Sequence, residues 1–223
     1  MARSRTTLTR DAVVAAAVEV ADRDGADAVT VRRVAEALGS SPMALYHHVD
    51  GKDALLDAMV DAVHAELATP RVDLPWIDAL AERCRDLHRV LLRHPWAVPL
   101  LDNRTSPGPA TLGHLDALLG VLYAAGLSAP VIAHAVALLD AFVFGFVVQE
   151  TSLPGTDAEG LEDVVASALG PTADTHPHPH PHPHMVRFAA EHVLRPDYRF
   201  DASFEVGLAL LLDGLRELAA GAG

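Results

Sequence analysis

LTRDAVVAAAVEVADRDGADAVTVRRVAEALGSSPMALYHHVDGKDALLDAMVDAV, residues 8 to 63, carries the punctuation that decides the fold. Thr9 is an N-cap for a helix expected over about residues 10 to 24, in which Val13, Ala16, Ala17, Val20 and Ala21 recur at helical spacing before Gly25 stops it. Thr30 caps VRRVAEALG, where Val31, Val34, Ala35 and Leu38 share a face and Gly39 ends the helix in a left-handed conformation. After the tight turn Gly39-Ser40-Ser41, Ser41 caps a third helix with Pro42 at its first position, expected to reach Val49 before Asp50-Gly51 breaks it. A fourth begins at Lys52, turns Leu55, Leu56, Met59, Val60 and Val63 inward, and is expected to end near Thr69-Pro70. Two short helices joined by a Gly turn and clamped by longer ones define a helix-turn-helix unit.

That geometry turns Ser41, Met43, Ala44, Tyr46 and His47 outward from the third helix. Small N-terminal residues allow close approach to a major groove, Met43 and Ala44 suit thymine methyls, and Tyr46, His47 and His48 can donate to phosphates or base edges. Arg32, Arg33 and Lys52 flank this surface as phosphate clamps. The same spacing also occurs in all-α units whose aromatic and histidine residues are only a rim.

Charge at first argues against nucleic acid. The 223 residues hold 17 Lys+Arg against 30 Asp+Glu, a formal net charge of -13. The balance is local, however: residues 1 to 52 contain seven basic and seven acidic side chains, so the whole -13 belongs to the chain beyond them. A nearly neutral head is joined to an acidic body. Half of the residues are hydrophobic, enough for a sizeable core, and the single cysteine, Cys84, excludes an internal disulfide framework and a cysteine-based zinc site. The apolar run LLDAFVFGFVVQ is bounded by Asp140 and Glu150, so no bilayer-spanning stretch and no membrane partner is expected. The basic start meets acid before any signal-peptide core can form, and cytoplasmic residence is the expectation.

The stretch from Leu8 to Val63 resembles the N-terminal domain of the tetracycline-repressor (TetR) family of transcriptional regulators. The likeness rests on the alanine-rich first helix ending at Gly25, the Thr30 cap with Arg32 two residues later, AEALG at Ala35 to Gly39, LYHH at Leu45 to His48, and GKDALLDAM after the turn. The resemblance implies DNA-contacting positions at Arg32, Ser41, Met43, Ala44, Tyr46, His48 and Lys52, with Pro42, Met43 and Ala44 where members vary their base readout. It also implies an all-α chain: a helix-turn-helix DNA-binding domain over 1-66, then a ligand-binding and dimerisation domain over 67-223. The implied activity is that of a repressor holding a palindromic double-stranded DNA operator as a homodimer and released by a small-molecule effector.

Beyond residue 66 the chain stays helical. WIDALAERCRDLHRVLLR (76-93) sets Leu80, Cys84, Leu87 and Leu91 on one face, HPWAVPLLDNRTSPGPA is a Pro-broken connector, and TLGHLDALLGVLYAAG, SAPVIAHAVALLDAFVFGFVVQE and DASFEVGLALLLDGLRELA are strongly apolar helices. The helix over 131 to 150 and the last one are expected to pack against their copies in a four-helix bundle. Candidate pocket residues are the polar His88, His114, His134, Asp140, Gln149 and Glu150, walled by Trp76, Trp96, Phe142 and Phe146. Tetracycline repressors hold a magnesium-chelated drug through a His, Thr and Glu set, and LLDNRT (100-105) lacks the corresponding histidine, so tetracycline is not the expected effector.

HPHPHPHPH within the His/Pro-rich loop 171-184 forbids helix and favours polyproline II. It reads either as a spacer or as a weak transition-metal site built from His176, His178, His180, His182 and His184. A helical metal- or small-molecule-binding protein using that tract is the competing reading. No nucleophile elbow, paired-carboxylate motif or phosphate loop organises the Ser, His and Asp residues, so neither enzymatic activity nor a cofactor is expected.

Overall fold

The computed structural model describes residues 8-103, 106-169 and 181-221, without the side chains of 102 and 103. Eleven α-helices make up the described fold: α1 (Arg10–Asp24), α2 (Val31–Ala37), α3 (Pro42–Leu45), α4 (Lys52–His64), α5 (Trp76–Arg93), α6 (Val98–Asn103), α7 (Pro109–Ala124), α8 (Ala129–Ser152), α9 (Ala158–Leu169), α10 (Pro183–Phe188) and α11 (Ala202–Gly221). The all-α expectation is met.

In the head, each expected cap forms. Thr9 Oγ1 accepts from Ala12 N at 3.1 Å, Thr30 Oγ1 from Arg33 N at 3.2 Å and Ser41 Oγ from Ala44 N at 3.3 Å. Each satisfies a donor that a helix start otherwise leaves unpaired. Gly39 takes φ +60 in the turn between α2 and α3, a conformation costly to residues with a Cβ. Val34 and Ala35 from α2 and Leu45 from α3 are buried with Val13, Ala17 and Val20 of α1 and Leu55 and Met59 of α4. One small core thus fixes the angle between α2 and α3.

Two boundaries differ from expectation. Regular helix in α3 stops at Leu45, and His48 N (2.8 Å) and Val49 N (3.1 Å) both close on Leu45 O, because the break at Asp50-Gly51 leaves room only for a tightened final turn. α4 ends at His64, where Ala65 to Leu67 turn and Ala68 N donates to Asp86 Oδ2 of α5 at 2.7 Å. A tertiary acceptor ends the helix before Thr69-Pro70 does.

In the body, α5, α8 and α11 pack on one another. Leu80, Cys84, Leu87 and Leu91 of α5 are buried against Ala135, Leu139, Val143 and Val147 of α8 and Phe204, Leu208, Leu212 and Leu215 of α11. Burial pushes the Cys84 thiol up to about 11, so it stays protonated and unreactive at neutral pH. Pro95 opens a 3-10 turn and Pro99 sits in the first turn of α6, positions where the missing N–H costs nothing, so the expected connector contains a helix. α8 also corrects a reading: it is long and apolar enough by length and composition to cross a bilayer, despite Asp140 and Glu150. Both carboxylates are paired inside the fold, to Arg83 (2.6 Å) and His88 (2.8 Å), and the helix is a core element of the body.

Candidate functional site

The outward face of the head is assembled as its capping chemistry requires. Met43 is 72% and Tyr46 52% exposed, Ser41, Pro42 and His47 are exposed beside them, and Ala44 and His48 are half-buried. Arg32 and Lys52 flank this face from α2 and from the start of α4, and among the described residues Arg32 makes an exposed contact of 3.3 Å to Glu36. Arg33 is turned away, since its Nη2 donates to Asp24 Oδ2 on α1 at 2.9 Å. It braces α2 against α1 instead of reaching forward.

Head and body meet at two polar joints. Around buried His94, Nδ1 lies 2.7 Å from Asp22 Oδ1 of α1 and Nε2 lies 3.1 Å from Glu66 Oε1, while Trp96 Nε1 donates to the same Asp22 oxygen at 2.6 Å. At the second joint, Asp61 Oδ1 of α4 accepts from the backbone N (2.9 Å) and hydroxyl (3.0 Å) of Thr111 in the first turn of α7. A carboxylate at a helix N-terminus meets both unpaired donors and the favourable end of the dipole. Gly108 lies so close beneath it that an added Cβ would stand 2.2 Å from Asp61 Cγ. A Cβ there would push the Asp61 carboxylate off its bonds to Thr111.

Next to this second joint is a cavity of about 460 Å³. Asp57, Val60 and His64 line it from α4, Leu101 from α6, Ser106, Pro107, Gly108 and Thr111 from the entry to α7, and Ala137, Asp140, Ala141 and Phe144 from α8. Arg83 Nη1 donates to Asp140 Oδ1 at 2.6 Å from behind the wall. Burial lowers the His64 pKa even though its Nδ1 lies 3.2 Å from Val60 O. Burial, then the Arg83 and His64 charges, lower His114 to about 4. Both imidazoles are therefore neutral at pH 7.

The pocket candidates are distributed over four places. Asp140 lines the cavity and His114 stands one turn along α7 from Thr111, on the same face. His88, Phe142 and Phe146 form an aromatic cluster with Phe200 and Phe204, in which His88 stacks on Phe204 at 4.0 Å and donates to Glu150. His134 and Gln149 are exposed on the outer side of α8, and Trp96 belongs to the His94 joint. The reason is angular: positions 137, 140, 141 and 144 of α8 share the cavity face, and 142 and 146 point about 100° or more away from it. Sequence reasoning missed His64 and Arg83, whose only signal is a polar residue within an apolar helical face. Of the histidine tract, His176, His178 and His180 lie outside the described residues, and His182 and His184 are exposed at the start of α10. Among the described residues no group of three or more His, Cys, Asp or Glu could hold a metal ion.

The pKa directions make stability fall with acid. A histidine whose folded pKa is depressed binds its proton more readily unfolded, so stability is intact above about 6.5 and is lost as pH falls toward about 4. Urea unfolding at pH 7 and pH 5 should differ by up to about 1.4 kcal/mol per unit of pH from this source. His114→Phe should flatten that difference, and an unchanged slope in the variant would refute the assignment.

A helical body carrying a helix-turn-helix head, with a cavity at their junction, defines a DNA-binding regulatory protein. The tetR-family bacterial regulatory domain matches residues 13–59, and the tetracyclin repressor-like C-terminal domain matches 69–219. The chain belongs to the TetR family of transcriptional regulators. It is 33% identical to the HTH-type transcriptional repressor DrrR1 of Streptomyces coeruleorubidus, an alignment covering 96% of this chain and 79% of that protein. It is 32% identical to the class A tetracycline repressor from transposon 1721 of Escherichia coli, over 94% and 91% of the two chains. Among solved structures, apo ActR of Streptomyces coelicolor superposes with a TM-score of 0.76 at 28% identity, covering 100% of both chains. ActR in complex with actinorhodin gives 0.77 at 29% identity, covering 98% of this chain and 100% of that one.

Proposed function

We propose that this protein is a cytoplasmic repressor that grips a palindromic operator as a homodimer and is released when a small molecule fills the cavity beside Asp61. In this reading the chain works as two units, a DNA-binding head over 1-66 and an effector-binding, dimerising body over 67-223. The observation that carries it is the shared wall: α4, the last helix of the head, lines the cavity with Asp57, Val60 and His64, and α7 and α8 of the body line the rest. A ligand there touches α4 and the body at once, so its contacts bias how α4 sits on the body, and α4 shares a buried core with the reading helix. ActR, which shares this fold, has been solved with actinorhodin bound, which supports a ligand-responsive body.

Within the head, Ser41, Pro42, Met43, Ala44, Tyr46 and His47 face the groove, with His48 at its edge and Arg32 and Lys52 on flanking phosphates. Dimerisation uses the outer sides of α8 and α11, which leave Leu138, Val148, Val206, Leu210 and Leu218 exposed in one subunit. These outer sides are too apolar to remain solvated over such lengths. The test is retardation of a palindromic fragment from the gene's own promoter region. Tyr46→Ala should weaken binding at all salt concentrations. Lys52→Ala should reduce the slope of log affinity against log salt by roughly one per subunit, as one phosphate contact is lost. Failure of the native protein to retain any genomic fragment at low salt would sink the proposal.

A further inference from the structure

We infer that the cavity takes an uncharged aromatic compound that donates a hydroxyl proton to Nε2 of His64. This rests on the reading of the cavity as the effector site and names what that site selects. The first support is the tautomer of the imidazole that lines the cavity. His64 Nδ1 lies 3.2 Å from Val60 O, and a carbonyl oxygen only accepts, so the proton of a neutral ring sits on Nδ1. Burial keeps the ring neutral at pH 7. Nε2 is then a bare acceptor. With Nδ1 held against the backbone of α4, it occupies the far edge of the ring, away from the helix. It meets no hydrogen-bond partner among the described residues, and it is not one of the polar atoms sealed from solvent. A ligand that donates there replaces a bond otherwise made to water.

The rest of the polar lining accepts as well. Asp140 gives Oδ1 to Arg83, which leaves Oδ2, and the Thr111 hydroxyl donates to Asp61 Oδ1 at 3.0 Å, so its oxygen presents lone pairs. Among the lining side chains only Ser106, at the entry to α7, can donate to a ligand. An ether or ketone oxygen would therefore face lone pairs, whereas a hydroxyl meets acceptors. Charge separates a hydroxyl from an ammonium group. Asp140 is paired with Arg83, Asp61 holds the start of α7, and Asp57 has an interaction of its own within the protein. A cation would give up its hydration without a carboxylate left to receive it whole. The remaining lining selects ring surface. Ala137 and Ala141, one turn apart on α8, leave a shallow wall, and Val60, Leu101 and Phe144 add apolar area, within a volume that fits a drug-sized molecule.

Three probes separate the possibilities by equilibrium dialysis against the full-length protein at pH 7: 2-naphthol, 2-methoxynaphthalene, which keeps the oxygen without the donor, and the cationic 2-naphthylmethylamine. 2-Naphthol is expected to bind about fivefold more tightly than either of the others, the discrimination that one net hydrogen bond between neutral groups gives. His64→Phe keeps a ring but removes the acceptor. It should bring 2-naphthol down to the affinity of the ether and leave the ether unchanged. Ala137→Trp, which fills the cavity, should abolish binding of all three. A further measurement needs no variant: nitrogen-15 shifts of the His64 ring in the free protein at pH 7 should report a proton on Nδ1 and none on Nε2. The opposite tautomer, or a doubly protonated ring, would overturn the inference. If Ala137→Trp blocks binding but the ether or the amine binds native protein as tightly as 2-naphthol, or His64→Phe keeps the preference, the ligand class is wrong and the cavity reading stands. If none of the probes binds, or Ala137→Trp changes nothing, the cavity reading fails and this inference falls with it.

Discussion

Leu210→Asp is expected to turn the protein into a monomer and to cost about 10²- to 10⁴-fold in operator affinity. Leu210 is 70% exposed on α11, so a carboxylate there is solvated in the single subunit and leaves its fold intact. In the proposed homodimer the same side chain lies within the interface, where an unpaired charge is costly. Each head alone has few cations, so tight binding depends on the second head arriving as an intramolecular event. Light scattering should report a mass near 23.6 kDa in place of twice that value. A variant that remains dimeric with native affinity would place the interface elsewhere.

Leu45→Ala should have the largest effect on stability. Leu45 is fully buried and is the one side chain by which α3 is anchored in the head core among Val34, Ala35, Leu55 and Met59. Truncating a buried leucine costs about 2 to 5 kcal/mol, the upper part of that range applying where the surroundings cannot collapse. Here α3 is a single turn held between two breaks, so little can move in to fill the space. Operator binding should be lost at temperatures where circular dichroism still shows a folded body, because the reading surface requires α3 to be seated. Native operator affinity at 37 °C in this variant would show that α3 is held by something other than its leucine.

The contrast between these two leucines shows how much of the molecule is legible in its sequence. Leu45 is readable as an inward residue because Ser41, Pro42 and the Gly39 turn fix the register of a short helix, and the register assigns every side chain a direction. Leu210 lies in a helix that is apolar on most sides, DASFEVGLALLLDGLRELA, where periodicity cannot separate the face packed on α5 and α8 from the face left open. The same limit affected the pocket. Phe142 and Phe146 are as apolar as Phe144, yet only Phe144 lines the cavity, the other two being packed with Phe204. His64 and Arg83 gave no local sign of their place because their partners, Val60 O aside, are far along the chain.

By itself the sequence determined the helical class, the caps and turns of the head, the side chains that α3 turns outward and the separation of a neutral head from an acidic body. These are local properties, governed by backbone conformation, capping and spacing within a few residues. Only the tertiary structure decided which polar groups are buried together, and so where the cavity lies. The Asp61–Thr111 joint spans 50 residues and the Arg83–Asp140 pair 57, and His114 loses its charge through burial and the fields of groups brought to it by folding. Burial and long-range electrostatics depend on which helices meet, and an apolar helix does not reveal its neighbours.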